Sequence, residues 1–138
     1  MNKKFVNFDT AVTLYKLGYN EDFVFYYRTD EEDHPIHHSS RPQPLNKSEK
    51  WVDDEIIPCP TLADACDWLR RKKKIFIEIE FEKEHDKQYY VWTAINMETG
   101  VMFDVIDSKY PYGTEAEHED AVSAGIEFAL TVVLSKQQ

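Results

Sequence analysis

The clearest pattern along this chain is the strict alternation of IFIEIEFE. Ile75, Ile77, Ile79 and Phe81 fall on one side of an extended backbone and Glu78, Glu80 and Glu82 on the other. This predicts a strand with one core face and one wet face. The preceding LADACDWLRRKK has a different period: Leu62, Ala65, Cys66 and Leu69 recur at helical spacing. Pro60 fixes its entry, Thr61 stands at the N-cap, and Asp64 suits the first turn. Asp67 and Arg71, one turn apart, fall on the solvent side. After the alternating strand, Gln88 to Asn96 and Val101 to Ile106 read as two more strands joined by METG, where Gly100 suits a left-handed turn position. Three consecutive strands make an antiparallel meander. Thr114 and Glu117 then form a capping-box pattern ahead of an apolar helix running from Ala121 to Leu134. Only Ser123, Glu127 and Thr131 interrupt its apolar surface, so it should be deeply packed, with Gly125 permitting close approach to the sheet.

Toward the N-terminus the signals are shorter. A helix is expected from Asp9 or Thr10 to the stop at Gly18, with Val12, Leu14, Tyr15 and Leu17 as its apolar surface. FVFYY, Phe23 to Tyr27, is too short for a helix and rich in strand formers. From residue 28 to 60 the periodicity disappears. Five of the six prolines fall in this stretch, with DEED and HPIHH, and only Trp51 to Ile57 reads as a short strand that would pin a long irregular loop to the body. These elements specify an α+β fold: an antiparallel meander of three to five strands with helices packed on one face, in a single domain over residues 1–138.

Composition agrees with a globular chain and narrows its partners. A length of 138 residues is enough for one core, and the net charge of -10 opposes general adhesion to phosphate backbones or anionic lipid. The start, MNKKFVNFDTAV, lacks the apolar run of a signal peptide, and no stretch is apolar enough to span a bilayer, so a cytoplasmic protein without a membrane partner is expected. Cys59 and Cys66 are too few for a disulfide framework; Cys59, between two prolines, reads as the more exposed thiol and Cys66 as a core residue of its helix.

The run PTLADACDWLRRKKKIFIEIEF, the meander and EDAVSAGIEFAL together resemble a group of short proteins encoded by phages and prophages of gut bacteria. In that group a Pro-Thr-capped helix carrying Trp-Leu-Arg runs into a strand, and a helix of the Glu-Glu-Ala-Leu type closes the chain. Pro60, Thr61, Trp68, Leu69, Arg70, Glu119, Ala121, Glu127 and Ala129 occupy similar places here, and the resemblance extends from about residue 57 onward. Leu62 and Ala63 depart from it, as does the long His-containing loop. These positions are caps and core residues. The resemblance therefore implies a phage-type accessory protein but transfers no catalytic residue and no cofactor.

Four groups of residues offer chemistry, each with a plainer alternative. His34, His37 and His38, flanked by Glu31, Glu32 and Asp33, are candidate metal ligands, since imidazole with carboxylate suits zinc; a solvated polar loop is the favoured reading. Arg70, Arg71, Lys72, Lys73 and Lys74 form a basic patch able to clamp phosphates, but at a helix end such cations ordinarily meet the carbonyl end of the dipole. Glu78, Glu80 and Glu82 form an acidic row that could imitate a nucleic-acid backbone; protection of an edge strand against pairing with another chain is favoured. Phe25, Tyr26, Tyr27, Tyr89, Tyr90, Trp92, Tyr110 and Tyr112 are expected in cores and on sheet faces, and any left exposed would mark a partner site. No phosphate-binding glycine loop, serine-nucleophile motif or HExxH is present. The leading expectation is a macromolecular, chiefly protein, binding module. The alternatives are a small metal-dependent or hydrolytic enzyme using His34, His37 and His38, and an acidic nucleic-acid mimic. Nucleic acid is disfavoured as a partner, no cofactor is implied, and the oligomeric state is left open.

Overall fold

The computed structural model describes residues 3–43 and 56–137. The chain is α+β, with three helices and two antiparallel sheets among the described residues, and it divides into two compact units: residues 5–61, and residues 62–137 together with Lys3 and Lys4.

In the first unit, helix α1 spans Phe8–Lys16, one or two residues earlier than the sequence suggests, because the side chain of Asn7 caps it by accepting the Thr10 N–H at 2.8 Å. Leu14 and Ala11 are buried on its inner side, and Gly18 follows in the left-handed conformation. Strand β1, Phe23–Arg28, is the centre of a three-stranded sheet, flanked by β2, His37–Gln43, and β3, Ile56–Pro58. Phe25 and Tyr27 share a face on which Phe5 and Phe8 pack, with ring centroids 4.7 Å and 5.5 Å away. The Tyr27 hydroxyl donates to the Val6 carbonyl at 2.6 Å.

Two expectations for this region are corrected. The stretch from 28 to 60 is not wholly irregular: β2 pairs antiparallel with β1, His37 opposite Tyr26 and His38 opposite Phe25. A strand of sequence HHSSRPQ has no apolar alternation, and it holds its place by backbone pairing at a sheet edge, where Pro42 is tolerated. The Trp51 end of the expected short strand lies outside the described residues; its other end is β3, which carries the chain through Cys59. Cys59 is buried, the reverse of the expected order of the two thiols, while Cys66 is only half-buried. Cys59 continues the pairing of β3, its N–H donating to Phe25 O at 2.9 Å and its thiol to the Val6 carbonyl at 3.8 Å.

The second unit is built on a four-stranded sheet. Helix α2, Leu62–Lys73, buries Leu62, Ala65, Trp68 and Leu69 and leads through Lys74 into β4, Ile75–Glu84. A two-residue turn with His85 in the left-handed region returns the chain as β5, Lys87–Asn96, paired with β4 along its whole length from Ile75↔Asn96 to Glu84↔Lys87. The METG turn follows, with Gly100 at φ 79° and its N–H bonded to Asn96 O at 2.7 Å. The third strand of the meander is shorter than expected: β6 is only Val101–Met102, and the rest of that edge of β5 is taken by β7, Tyr112–Glu115.

Helix α3, His118–Lys136, closes the unit on the face of the sheet that carries Ile77 and Trp92, with the Phe128 ring 6.1 Å from that of Trp92. Thr114 does not cap it. Thr114 is a strand residue opposite Val91, and the N-cap position falls to Glu117, which makes no capping bond and pairs instead with Lys3. The backbone bonds of β7 outcompete the local capping box, which had the right residues at the right spacing.

Candidate functional site

The inner face of the β4–β7 sheet is covered by α3; the outer face is not. Residues directly opposite one another across antiparallel strands share a face, so the register defines the outer surface row by row. Phe76 lies opposite Ile95, which lies opposite Met102; Glu78 lies opposite Thr93, which lies opposite Tyr112; Glu80 lies opposite Val91, which lies opposite Thr114; Glu82 lies opposite Tyr89. One flank is therefore a column of carboxylates on β4. The remainder is aliphatic, aromatic and threonine side chains.

Exposure sets this surface apart. Phe76 is 39% exposed, Met102 45% and Tyr112 50%, and Tyr110 at 59% stacks obliquely on Tyr112 with centroids 5.6 Å apart. Among the described residues, all of the exposed large hydrophobic side chains but Leu134 fall between residues 76 and 112. Single exposed apolar side chains need no explanation, whereas neighbours on one sheet face do.

The carboxylate column is electrostatically tense. Glu80, by a hydrogen bond, together with partial burial and like charge, holds the Glu78 carboxyl above the usual carboxylate range. Partial burial, reinforced by the charges of Glu84 and Glu82, likewise raises the Tyr89 phenol. A cationic group laid along β4 relieves this repulsion. β4 is also an edge of its sheet, with β5 as its only partner strand among the described residues.

The other candidate groups lie elsewhere. The three histidines of the loop turn to three separate aromatic partners: His34 stacks on Phe8 at 3.5 Å, His37 stacks on Tyr26 at 5.3 Å while contacting Glu31 Oε1 at 2.5 Å, and His38 meets Phe25 edge-on at 6.3 Å. Among the described residues no three of His, Cys, Asp and Glu converge in a metal-binding arrangement. In the basic patch, Arg70 and Arg71 both pair with Asp67, Arg71 Nε at 2.6 Å, and these arginines hold the Asp67 carboxyl below its usual range. Lys73 lies over the Trp68 ring at 5.3 Å. Burial pushes both thiols up to about 11, which suppresses the thiolate that nucleophilic chemistry needs.

The aromatic residues separate as their neighbours dictate. Tyr27 and Trp92 are buried, Phe25, Tyr26, Tyr89 and Tyr90 half-buried, and Tyr110 and Tyr112 exposed. Phe81 is expected in the core but is 53% exposed: it lies opposite Tyr90, level with the first residue of α3, where the Tyr90 ring meets that of His118 and Phe81 is left beside Tyr90 at 5.5 Å. Phe76 was missed. Its signal is present in the alternation, which places it on the side of the glutamates, and an aromatic residue on a wet face is the anomaly to notice.

Comparison of the chain with protein-family models, with curated proteins and with solved structures finds no match. Among the described residues no helix is long and apolar enough to cross a membrane.

Proposed function

We propose that the chain is a protein-binding module whose contact surface is the outer face of the β4–β7 sheet, and that its partner presents a basic, partly apolar surface. The observation that carries this reading is the juxtaposition of exposed Phe76, Met102, Tyr110 and Tyr112 with the carboxylate column Glu78, Glu80 and Glu82. Aromatic and methionine side chains give contact area at the centre of an interface. The carboxylates select a cationic partner and speed its encounter. If that partner itself binds nucleic acid, the acidic row imitates its ligand, and mimicry is one form of the same reading. A cytoplasmic accessory role of the phage or prophage type accompanies this proposal and rests on the sequence resemblance.

The test uses a synthetic peptide alternating arginine with valine as a basic, partly apolar probe, and one alternating glutamate with valine as its control. The full chain should bind the first, with affinity falling as salt rises, and ignore the second. Phe76→Ala and Tyr112→Ala should each weaken binding by about 1–2 kcal/mol, the range of an interface aromatic below hot-spot level. Equal binding of both peptides, or indifference to the two replacements, would refute the proposal. Sedimentation showing that the face instead closes on a second copy of the chain would replace it.

A further inference from the structure

The C-terminal ends of α2 and α3 open together onto a recess of about 260 Å³, lined by four lysines, Lys72, Lys73, Lys74 and Lys136, over a small apolar floor where Val133 joins the nearly covered Ile75 and Val132. Cations at a helix C-terminus ordinarily answer the partial negative charge there. Each helix end carries only about half an elementary charge, and a single carboxylate, Glu98, lines the recess. Two helix ends and one glutamate offset about two of the four lysines, leaving roughly two positive charges unbalanced among the lining residues. Lys72, Lys74 and Lys136 take part in no ion pair among the described residues. Lys73 is steadied over the Trp68 ring.

Lys74 adds an independent observation. It sits directly after α2 at φ 57°, the left-handed position that glycine occupies without steric cost and that lysine does not. Its carbonyl accepts the Met97 N–H at 3.0 Å, which fixes the joint between α2 and β4. A lysine is thus held in a conformation that suits a different residue, with its side chain at the mouth of a cationic recess.

We propose that this recess binds a small phosphate monoester, its phosphate among Lys72, Lys74 and Lys136 and its organic part over the small apolar floor. A phosphate monoester carries about -1.5 to -2 charges at neutral pH, which matches the imbalance. The volume lies below the ~300–1,000 Å³ of pockets for drug-sized ligands, so it suits a compact molecule. A nucleic-acid strand would instead require an extended cationic groove with stacking aromatics. This site is independent of the outer sheet face.

Calorimetric titration of the full chain with phenyl phosphate, with inorganic phosphate and with a single-stranded oligonucleotide tests the proposal. Phenyl phosphate should bind saturably and more tightly than inorganic phosphate, because only it reaches the floor. Lys136→Gln and Lys74→Gly should each weaken phenyl phosphate about tenfold, in line with loss of a charge-assisted hydrogen bond. Lys74→Gly should melt no lower than the parent, because glycine suits the backbone there, so its lost binding cannot be ascribed to lost folding. Absence of saturable phosphate binding, equal affinity for the two phosphates, unchanged affinity in both variants, or tighter binding of the oligonucleotide than of phenyl phosphate would each overturn it.

Discussion

A Cβ built on Gly125 would lie 2.5 Å from Cγ2 of Ile77, so α3 rests on the inner face of β4 with no space for a side chain between them. Gly125→Ala should therefore destabilise the chain although alanine is the better helix former by about 1 kcal/mol. Overpacking costs roughly 1–3 kcal/mol, so a net loss of about 1 kcal/mol is expected in chemical denaturation. Adding Ile77→Ala removes the clashing methyl, and the double variant should be more stable than the sum of the two single effects.

Cys59 provides a pH signature. Burial raises its folded thiol to about 11 against an ordinary value of 9.0, so the native state holds the proton more tightly than the unfolded state. The resulting stability is fully present below the ordinary value and is lost as pH rises through the folded one. Stability measured by denaturant should fall between those two pH values, by on the order of 3 kcal/mol at most for this thiol, and Cys59→Ala should flatten the decline. The half-buried Cys66 shifts in the same direction and contributes to the slope. At neutral pH the buried Cys59 thiol should react with an alkylating reagent only as fast as the chain opens, and the half-buried Cys66 faster.

Glu78 gives an effect of the same sign at acid pH. Its carboxyl is raised, chiefly by Glu80, so the native state binds a proton more readily there and the charged pair opposes folding at neutral pH. Glu78→Gln should stabilise the chain at pH 7 by roughly 0.5 kcal/mol or less, the scale of solvent-screened charges. The gain should vanish as pH falls below the ordinary carboxylate range, where the Glu78 carboxyl carries its proton.

Replacing Glu78, Glu80 and Glu82 together by Gln removes three of the four carboxylates on the outer side of an edge strand, next to the largely apolar and aromatic outer row of β5. Sedimentation velocity should show more self-association in the triple variant than in the parent, because charge on an edge strand discourages pairing with another chain. A triple variant as monomeric as the parent would show that the row does not protect this edge.

The second unit was legible from sequence wherever the period was strong. The helical spacing of α2 and the apolar run of α3 up to Val133 matched burial that the structure shows, and Gly125 proved to be the close approach its position suggested. The alternation of β4 assigned its two faces, but only Ile75 is buried there, Ile77 and Ile79 being half-buried and Phe81 exposed. What escaped was decided by partners distant in sequence. Thr114 has the local signature of a cap, but pairing with Val91 makes it a strand residue. β2 has no apolar alternation to read, and the Pro-Cys-Pro segment resembles a loop until β1 supplies the backbone partner that buries Cys59. The candidate surface was half visible: the glutamates stand out in the sequence, whereas the approach of Met102 and Tyr112 to them depends on which strands flank β5.

The most direct test of the interaction surface is to record where the chain responds when the arginine–valine peptide binds, by following backbone amide resonances of the full chain during the titration. The account predicts shifts concentrated on Phe76 to Glu82, Tyr89 to Ile95, Val101, Met102 and Tyr110 to Thr114, abolished by high salt and absent with the glutamate–valine control. Shifts confined to α1, β1 and the histidines of β2, or no localised shifts at saturating peptide, would contradict it.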